Sequence, residues 1–213
     1  MKLARHMITT AVLLAAFAIT GTGLVALTYE STKEQIARAE REALLESLHS
    51  VVGSEQFDNE LIGDVIEIQS DKFLGTEEAL PVFRARKNGN PVAAILTTVA
   101  PDGYNGKIKL LIGIRYDGTL SGVRVLNHRE TPGLGDYIET RKSDWIYNFN
   151  NKSLDSPQKK KWKVKRDGGD FDQLTGATIT PRAIVKAVHK ALEYYAQNRD
   201  ALFKQPEKVT QSG

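Results

Sequence analysis

The chain has 213 residues, of which 41% are hydrophobic. This is enough for one membrane segment and one globular domain with its own core. It contains no cysteine, which excludes thiolate-ligated iron–sulfur clusters, CxxCH haem attachment, disulfides and thiol nucleophiles, so any redox centre must be organic or held by other ligands. The formal net charge of +3 is too small, without a concentrated basic face, to indicate nucleic-acid binding.

The first predicted element is a membrane span. The stretch from Met7 to Thr28 has no charged residue, and as a helix it would be roughly 33 Å long, enough to cross a hydrocarbon core of about 30 Å. A cleaved signal peptide is the alternative, but the stretch exceeds a normal signal core and no clear Ala-x-Ala site follows it. We therefore predict a membrane anchor over residues 1–30. The basic residues on its two sides do not decide its orientation.

The segments after the span predict a helix and then a β-meander. Ser31 to Ser50 is rich in Glu, Ala, Leu and Arg and predicts a helix leaving the membrane. Four later segments are rich in β-branched or apolar residues, and Asn-Gly or Asp-Gly pairs punctuate them. They are Pro81–Lys87, Val92–Ala100, Lys107–Tyr116 and Thr119–Asn127. This spacing predicts antiparallel strands joined in sequence order.

A glycine- and proline-rich loop follows the last of these strands. His128 to Gly135 reads His-Arg-Glu-Thr-Pro-Gly-Leu-Gly. Two glycines and a proline predict a fixed loop, and fixed loops on rigid sheets are common ligand contacts. Turn chemistry by itself would also explain the composition.

The remaining elements complete an α+β domain. Ser143–Asn150 predicts a short helix and Trp162–Lys165 a short strand, and the apolar stripe from Pro181 to Gln197 predicts a closing helix. Beyond Ala201 the tail is polar and is predicted to be loose.

Two charged segments before the closing helix have plain interpretations. The basic run from Lys159 to Arg166 is interleaved with Trp162 and Val164, which predicts a solvated strand face rather than an anion or partner site. The aspartates from position 167 to position 172 resemble a calcium loop, but their glycine order is wrong for one and Thr178 stands where an EF-hand needs glutamate.

The most informative segment lies directly before the closing helix. Asp172 to Thr178 reads Asp-Gln-Leu-Thr-Gly-Ala-Thr. Small residues beside a threonine leave its hydroxyl open to a second molecule, and the amino terminus of the following helix favours a phosphate. The alternative is a tight turn, in which Gly176 supplies a positive φ and Thr180 caps the helix ahead of Pro181.

This heptapeptide resembles the flavinylation motif Asp-x-x-Ser/Thr-Gly-Ala-Thr, in which the last threonine is esterified to the phosphate of FMN. That position here is Thr178. The string from Glu130 to Gly135 looks like a loop that recurs in the same FMN-binding family, and two matches are more specific than one. From its anchor to its last helix the chain resembles the G subunits of Rnf ion-translocating ferredoxin:NAD oxidoreductase complexes. The C subunits of sodium-translocating NADH:quinone reductases are close relations.

The resemblance implies an α+β FMN-binding domain with covalent FMN on Thr178 through the phosphate, and no catalytic or metal-binding residue. The other cofactor contacts that it implies are Asp172, Thr175, Gly176 and Ala177 in one motif and Glu130, Thr131, Gly133 and Leu134 in the other. Electron transfer through a flavin requires position and electrostatics from the protein, not a general acid or base.

The resemblance also implies a bacterial inner-membrane protein with one span. Its short N-terminus would be cytoplasmic, residues 31–200 would form a periplasmic domain, and residues 201–213 a loose tail. Its partners would be the other membrane subunits of an Rnf-type complex and a flavin transferase for maturation, but no nucleic acid. The alternatives are a membrane-anchored binding or scaffold module without flavin, and the C subunit of a sodium-translocating NADH:quinone reductase.

Overall fold

A computed structural model describes residues 2–204 of the chain. Its first element, α1, is one continuous helix, Lys2–Val52. The predicted anchor and the predicted helix after it are therefore one element, since no proline interrupts the segment. Gly53 ends the helix with a φ of 70°, and its N–H donates a 2.9 Å hydrogen bond to the carbonyl of His49.

The chain divides into two compact units, one up to Leu44 and one from Leu45 onward. Within residues 2–204, α1 is the one helix long and apolar enough to cross a membrane, and its large apolar side chains from Leu3 to Leu27 are exposed. The compact domain begins later than the predicted boundary at residue 30. Its first buried side chains are Leu48, Val51 and Val52, in the last turn of α1.

The domain is built on a five-stranded sheet whose strands are neighbours in chain order and pair antiparallel throughout. This confirms the predicted meander. The strands are β1 (Val65–Ile68), β2 (Leu80–Lys87), β3 (Asn90–Gly103), β4 (Gly106–Arg115) and β5 (Leu120–Asn127).

The prediction missed β1 and the single-turn helix α2, Asp71–Leu74. A strand of four residues is too short to show a clear alternation of apolar and polar side chains. It exists because β2 supplies its partner backbone, with Val65 opposite Phe83 and Ile68 opposite Leu80.

The closing helix α3, Ile179–Phe203, packs against the sheet. Its predicted apolar stripe is buried, namely Ile184, Ala187, Val188, Ala191, Leu192 and Tyr195. The helix starts before Pro181 and continues past Gln197. This gives one α+β domain with its core between the sheet and α3.

The predicted start of a loose tail at residue 201 is wrong, because Leu202 and Phe203 are helical and buried. Two arginines of β2 satisfy the carbonyls at this helix end. Arg84 donates to Leu202 and Lys204, and Arg86 donates to Phe203, over 2.9–3.2 Å. Residues 205–213 of the predicted tail lie outside the described residues.

The segment between β5 and α3 is held by aromatic packing rather than by strands. The predicted helix over residues 143–150 is a 3₁₀ helix, Trp145–Phe149. The predicted strand over residues 162–165 is wrong, since only Val164 forms a bridge, with Phe171. Trp162 and Val164 are nevertheless buried between exposed lysines. The ring centroid of Phe171 lies 5.0 Å from that of Trp162 and 4.8 Å from that of Phe149, so this alternation reflects an aromatic cluster.

The last turn of α1 rests on a pair of glycines in the sheet. Gly113 of β4 lies opposite Gly122 of β5. A Cβ at Gly113 would overlap the side chains of Val51 and Ser121, whereas a Cβ at Gly122 would lie 3.1 Å from the carbonyl oxygen of Val51. The two glycines therefore allow the helix backbone to approach the strands directly.

We expect Gly113→Ala to destabilise the domain by about 1–3 kcal/mol, because the added methyl group must displace Val51. Gly122→Ala is the matched control. It should lower the free energy of unfolding by less, since the nearest atom to a Cβ at Gly122 is 3.1 Å away, whereas a Cβ at Gly113 would overlap the side chain of Val51. Denaturant unfolding of the detergent-solubilised chain, followed by circular dichroism, measures both. Equal midpoints for Gly113→Ala and the unsubstituted protein would contradict this packing.

Candidate functional site

The two sequence motifs meet at one cavity of about 460 Å³. The loop after β5 contributes Glu130, Thr131 and Leu134, and the segment before α3 contributes Gly176, Ala177 and Thr178. Sequence reasoning did not select the remaining lining residues, which are Tyr104, Gly135, Arg166, Ile179, Thr180 and Arg182. The other predicted contacts, Asp172, Thr175 and Gly133, do not line this cavity.

The heptapeptide Asp172–Thr178 is held at its start and folded into a tight turn at its end. The indole N–H of Trp145 donates a 2.7 Å hydrogen bond to the carbonyl of Asp172, whose carboxylate pairs with Lys165 at 2.6 Å. The turn is closed by a 3.0 Å hydrogen bond from the N–H of Ala177 to the carbonyl of Leu174. Gly176 supplies its positive φ of 78°. Asp172 thus fixes the loop from outside the cavity.

Thr178 is the N-cap residue of α3, which starts at Ile179. Its backbone is helical rather than extended, and its side chain makes no capping hydrogen bond. The side chain is also half-buried on the cavity wall. Thr178 therefore lines the cavity, and its hydroxyl is not used to cap the helix.

Thr180 does not cap the helix, which corrects the tight-turn alternative. It lies inside the first turn of α3 and is fully buried. Its hydroxyl donates to the carboxylate of Glu130 across the cavity wall. An N-cap side chain binds a backbone N–H of the first turn, whereas this one binds another loop.

Glu130 connects three parts of the domain. Only 4% of the residue is exposed, and its carboxylate accepts hydrogen bonds from the backbone N–H groups of Tyr104 at 3.3 Å and Asn105 at 3.0 Å, besides Thr180. The hairpin between β3 and β4, the loop after β5 and the start of α3 are thereby joined. A buried carboxylate requires such partners, since leaving it unpaired would be costly.

His128 orients the backbone of this loop. Its Nδ1 accepts a 3.1 Å hydrogen bond from the N–H of Glu130, and its Nε2 lies 3.0 Å from the carboxylate of Glu139. Because Nδ1 is an acceptor, Nε2 carries the proton and donates to Glu139. His128 does not line the cavity, so it acts on the site through the backbone of Glu130.

The glycines of the two motifs allow the loops to pack closely. A Cβ on Gly176 would lie 3.0 Å from Cδ2 of Leu134, and one on Gly135 would lie 2.9 Å from the side chain of Glu130. Gly133 has a different role: its φ is 76°, and its N–H donates to Asp136 at 2.9 Å. A hydrogen bond from Lys142 holds the pKa of the Asp136 carboxyl below its ordinary value of 3.8, which keeps this acceptor ionised.

The cavity favours an anion next to Thr178. Arg166 and Arg182 line it. The first turn of α3 also lines it with Ile179 and Thr180, whose backbone N–H groups have no intrahelical acceptor, whereas Pro181 has no N–H. The Nε and Nη2 atoms of Arg182 each donate to the carboxylate of Asp167 at 2.6 Å. This hydrogen-bonded pair lowers the pKa of Asp167. Arg166 makes no ion pair within residues 2–204.

The aspartates that resembled a calcium loop are paired with cations. Asp167 pairs with Arg182, Asp170 with Lys161 at 3.6 Å and Asp172 with Lys165. Among residues 2–204, no group of three or more His, Asp or Glu side chains is arranged to hold a metal ion.

Comparison with known proteins assigns both parts of the chain. The FMN-binding domain family matches residues 103–193, which contain every residue of the cavity wall. A second family, the RnfG N-terminal region, matches residues 1–51, almost the whole of α1.

Relatives match over nearly the full length. The chain is 51% identical to the G subunit of the ion-translocating oxidoreductase complex of Vibrio atlanticus, over 91% of this chain and 92% of that one. It is 50% identical to the G subunit of the Shewanella oneidensis complex, over 94% of each. The fold resembles the crystal structure of the C subunit of the Na(+)-translocating NADH-quinone reductase from Parabacteroides distasonis, with a TM-score of 0.54 and 20% identity over 81% of this chain and 96% of that one.

The cavity residues lie within an FMN-binding domain, and the anchor helix matches the region that defines the G subunits. The chain belongs to the family of G subunits of ion-translocating oxidoreductase complexes, in which it is the FMN-carrying electron-transfer subunit.

Proposed function

We propose that Thr178 carries FMN covalently, through an ester between its hydroxyl and the phosphate of the cofactor. The observation that carries this proposal is the state of that hydroxyl. Thr178 is the N-cap residue of α3, its side chain makes no capping hydrogen bond, and the residue lines the cavity between the two motif loops. A hydroxyl with no hydrogen-bond partner among residues 2–204 is available to a transferase.

The surroundings of Thr178 suit a phosphate. Esterification to FMN leaves a phosphodiester anion beside the amino terminus of α3, where the helix dipole and the free N–H groups stabilise negative charge. Arg166 and Arg182 add positive charge on the same wall. Of the two, Arg166 is the one whose guanidinium is not already paired with a carboxylate.

The rest of the cavity suits a flavin ring. Its volume of about 460 Å³ lies within the range of about 300–1,000 Å³ typical of cofactor sites. Tyr104, Leu134 and Ile179 line it and are 43–64% exposed, so a planar aromatic ring would cover apolar surface that otherwise faces water. We propose Glu130, Thr131, Gly176 and Ala177 as further cofactor contacts, and Asp172, Thr175 and Gly133 as residues that shape the loops.

FMN supplies one- or two-electron chemistry when bound, and the chain supplies its position and electrostatic environment. We propose that the chain serves in a ferredoxin:NAD oxidoreductase with the other membrane subunits of an Rnf-type complex as partners. The relatives carry the name of an ion-translocating oxidoreductase complex, which supports this role. The unmodified ring of an ester-linked flavin remains free for electron exchange.

We further propose that α1 holds the chain in the bacterial inner membrane with a single span. The short N-terminus would lie in the cytoplasm and the domain in the periplasm, where a flavin transferase attaches the cofactor. A covalent link would prevent loss of FMN into that compartment. The exposed apolar length of α1 and its match to the RnfG N-terminal region support the anchor.

The attachment atom can be tested by mutation. We expect Thr178→Ala to abolish covalent flavin, because the other threonine hydroxyls of the cavity, those of Thr131 and Thr180, are already hydrogen-bonded to other side chains. Thr178→Ser should retain part of the covalent flavin. Thr175→Ala is the matched control and should keep its flavin, since Thr175 is exposed and does not line the cavity. In-gel flavin fluorescence after denaturation measures all three. Covalent flavin on Thr178→Ala would exclude this residue as the attachment site.

The approach of the two loops can be tested at Gly176. Gly176→Val should prevent flavinylation while the domain stays folded, because the side chain is strained at a φ of 78° and collides with Leu134. Gly168→Val is the control: its φ of 82° imposes the same strain, but nothing lies within 4 Å of its Cβ. Flavin content and circular dichroism are compared. Loss of both properties in Gly176→Val would show that the glycine is needed for folding instead.

The compartment of flavin attachment can be tested with a truncated chain. A chain lacking residues 1–30 retains Leu48, Val51 and Val52, so we expect it to fold, to gain FMN when exported together with the transferase, and to stay colourless in a cytosol without that enzyme. A chain lacking residues 1–52 should have a less stable domain, because each apolar side chain that it loses contributes roughly 1.5–3 kcal/mol. Covalent flavin on cytosolic protein in cells without a transferase would contradict the proposed route.

A further inference from the structure

A second cavity, which we call the basic groove, lies beside the flavin cavity. Its volume is about 610 Å³, and it runs between the segment of residues 159–167 and α3. Its floor contains the buried side chains of Trp162, Val164 and Val185. The cationic residues on its walls are Lys159, Lys163, Arg182, Lys186 and Lys190.

The charges of the basic groove are unbalanced. Only two carboxylates line it, Glu193 and Asp167. Glu193 pairs with Lys159 at 2.9 Å and Asp167 with Arg182 at 2.6 Å. The five lining cations therefore exceed the lining anions by three. His189 adds no charge at neutral pH, because burial lowers its pKa from the ordinary value of 6.5.

Two lysines of the groove carry charge that no carboxylate of the described residues neutralises. Lys163 and Lys190 make no ion pair within residues 2–204, whereas Lys186 is paired with Asp102 at 2.5 Å. Lys163 is exposed and Lys190 is half-buried, and lysine charges of this kind do not stabilise a fold by themselves. They do create a positive potential that attracts an anionic partner over about a Debye length.

The floor of the groove is rigid, although it contains no strand. Trp162 packs between Phe171 and His189, with ring centroids 5.0 and 5.3 Å away. The backbone of Lys163 is fixed on both sides, since Trp162 and Val164 are buried. The Lys163 side chain therefore starts from a defined position on the groove.

The basic groove is continuous with the flavin cavity, because Arg182 lines both. A protein that binds in the groove would thus lie next to the cofactor cavity. Electron-transfer encounters generally bury small interfaces and release the partner quickly. Exposed charges suit such encounters, since they raise association rates more than affinity.

We propose that the basic groove is the docking surface for a carboxylate-rich face of a neighbouring subunit that exchanges electrons with this domain. This inference rests on the proposed flavin at Thr178. Carboxylates already neutralise Lys159, Arg182 and Lys186 within the chain. The remaining cations are lysines, which act as point charges. Arg182, the arginine that lines the groove, already donates from Nε and Nη2 to Asp167. It is therefore not free for bidentate recognition of a phosphate.

The test uses the full chain in its assembled, membrane-extracted complex. A carbodiimide, which joins lysine amines directly to carboxylates, should cross-link Lys163 or Lys190 to carboxylates of another subunit, as identified by mass spectrometry. The double variant K163E/K190E should lose these cross-links. Its rate of electron transfer through the flavin should fall about tenfold at low salt, with a weaker dependence on ionic strength.

The matched control is K107E/K109E, which changes the charge equally. Lys107 and Lys109 are exposed on β4 and alternate with Ile108, whose side chain is in the core under α3; they therefore project from the opposite face of the sheet. This control should keep both the cross-links and the rate. Covalent flavin content should be normal in both double variants, because none of the four lysines lines the flavin cavity.

Three outcomes would overturn the docking proposal. The first is absence of cross-links at the groove lysines, and the second is equal rates in the two double variants. The third is loss of binding to anionic lipid vesicles in K163E/K190E without any cross-link, which would assign the groove to a membrane surface. A wild-type complex without covalent flavin would instead refute the flavin attachment, and the cross-links would still decide whether the groove binds a neighbouring subunit.

Discussion

The site depends on one buried carboxylate. Glu130 accepts hydrogen bonds from the hairpin between β3 and β4 and from Thr180 of α3, while its own N–H is held by His128. These contacts fix the relative positions of the two loops that form the cavity beside Thr178. Removing such a buried acceptor leaves its donors unsatisfied, which costs about 1–3 kcal/mol for each group. The walls of the cavity are therefore tied to the hydrogen bonds that hold the folded domain together.

The same carboxylate explains why Thr178 is available. Two threonines stand at the start of α3, and either could cap it in principle. Glu130 engages the hydroxyl of Thr180 inside the first turn, and the helix begins at Ile179, so Thr178 becomes the cap residue without a capping hydrogen bond. The availability of the Thr178 hydroxyl thus follows from what the neighbouring side chains already bind.

The antiparallel meander was predictable because the sequence signals of strands β2 to β5 and of the turns between them are local. Long apolar segments separated by Asn-Gly or Asp-Gly pairs specify antiparallel neighbours, and β2 to β5 lie where expected. Trp162 and Val164 show where such evidence fails. Their alternation with lysines is typical of a strand, but packing against Phe171 produces the same burial without a sheet. Alternating apolar and polar residues predict which side chains are buried, but they do not predict whether a sheet or an aromatic cluster buries them.

The membrane helix, the order of the strands, the final amphipathic helix and the two motifs follow from the order of the amino acids, because each of these features is encoded in contiguous residues. Three other features exist only in the folded domain: the motifs share one cavity, Thr180 binds Glu130, and Arg166 and Arg182 stand beside Thr178. These relations join residues as much as 50 positions apart. No local pattern records such a contact, since it depends on how the hairpin, the loop and the helix pack together.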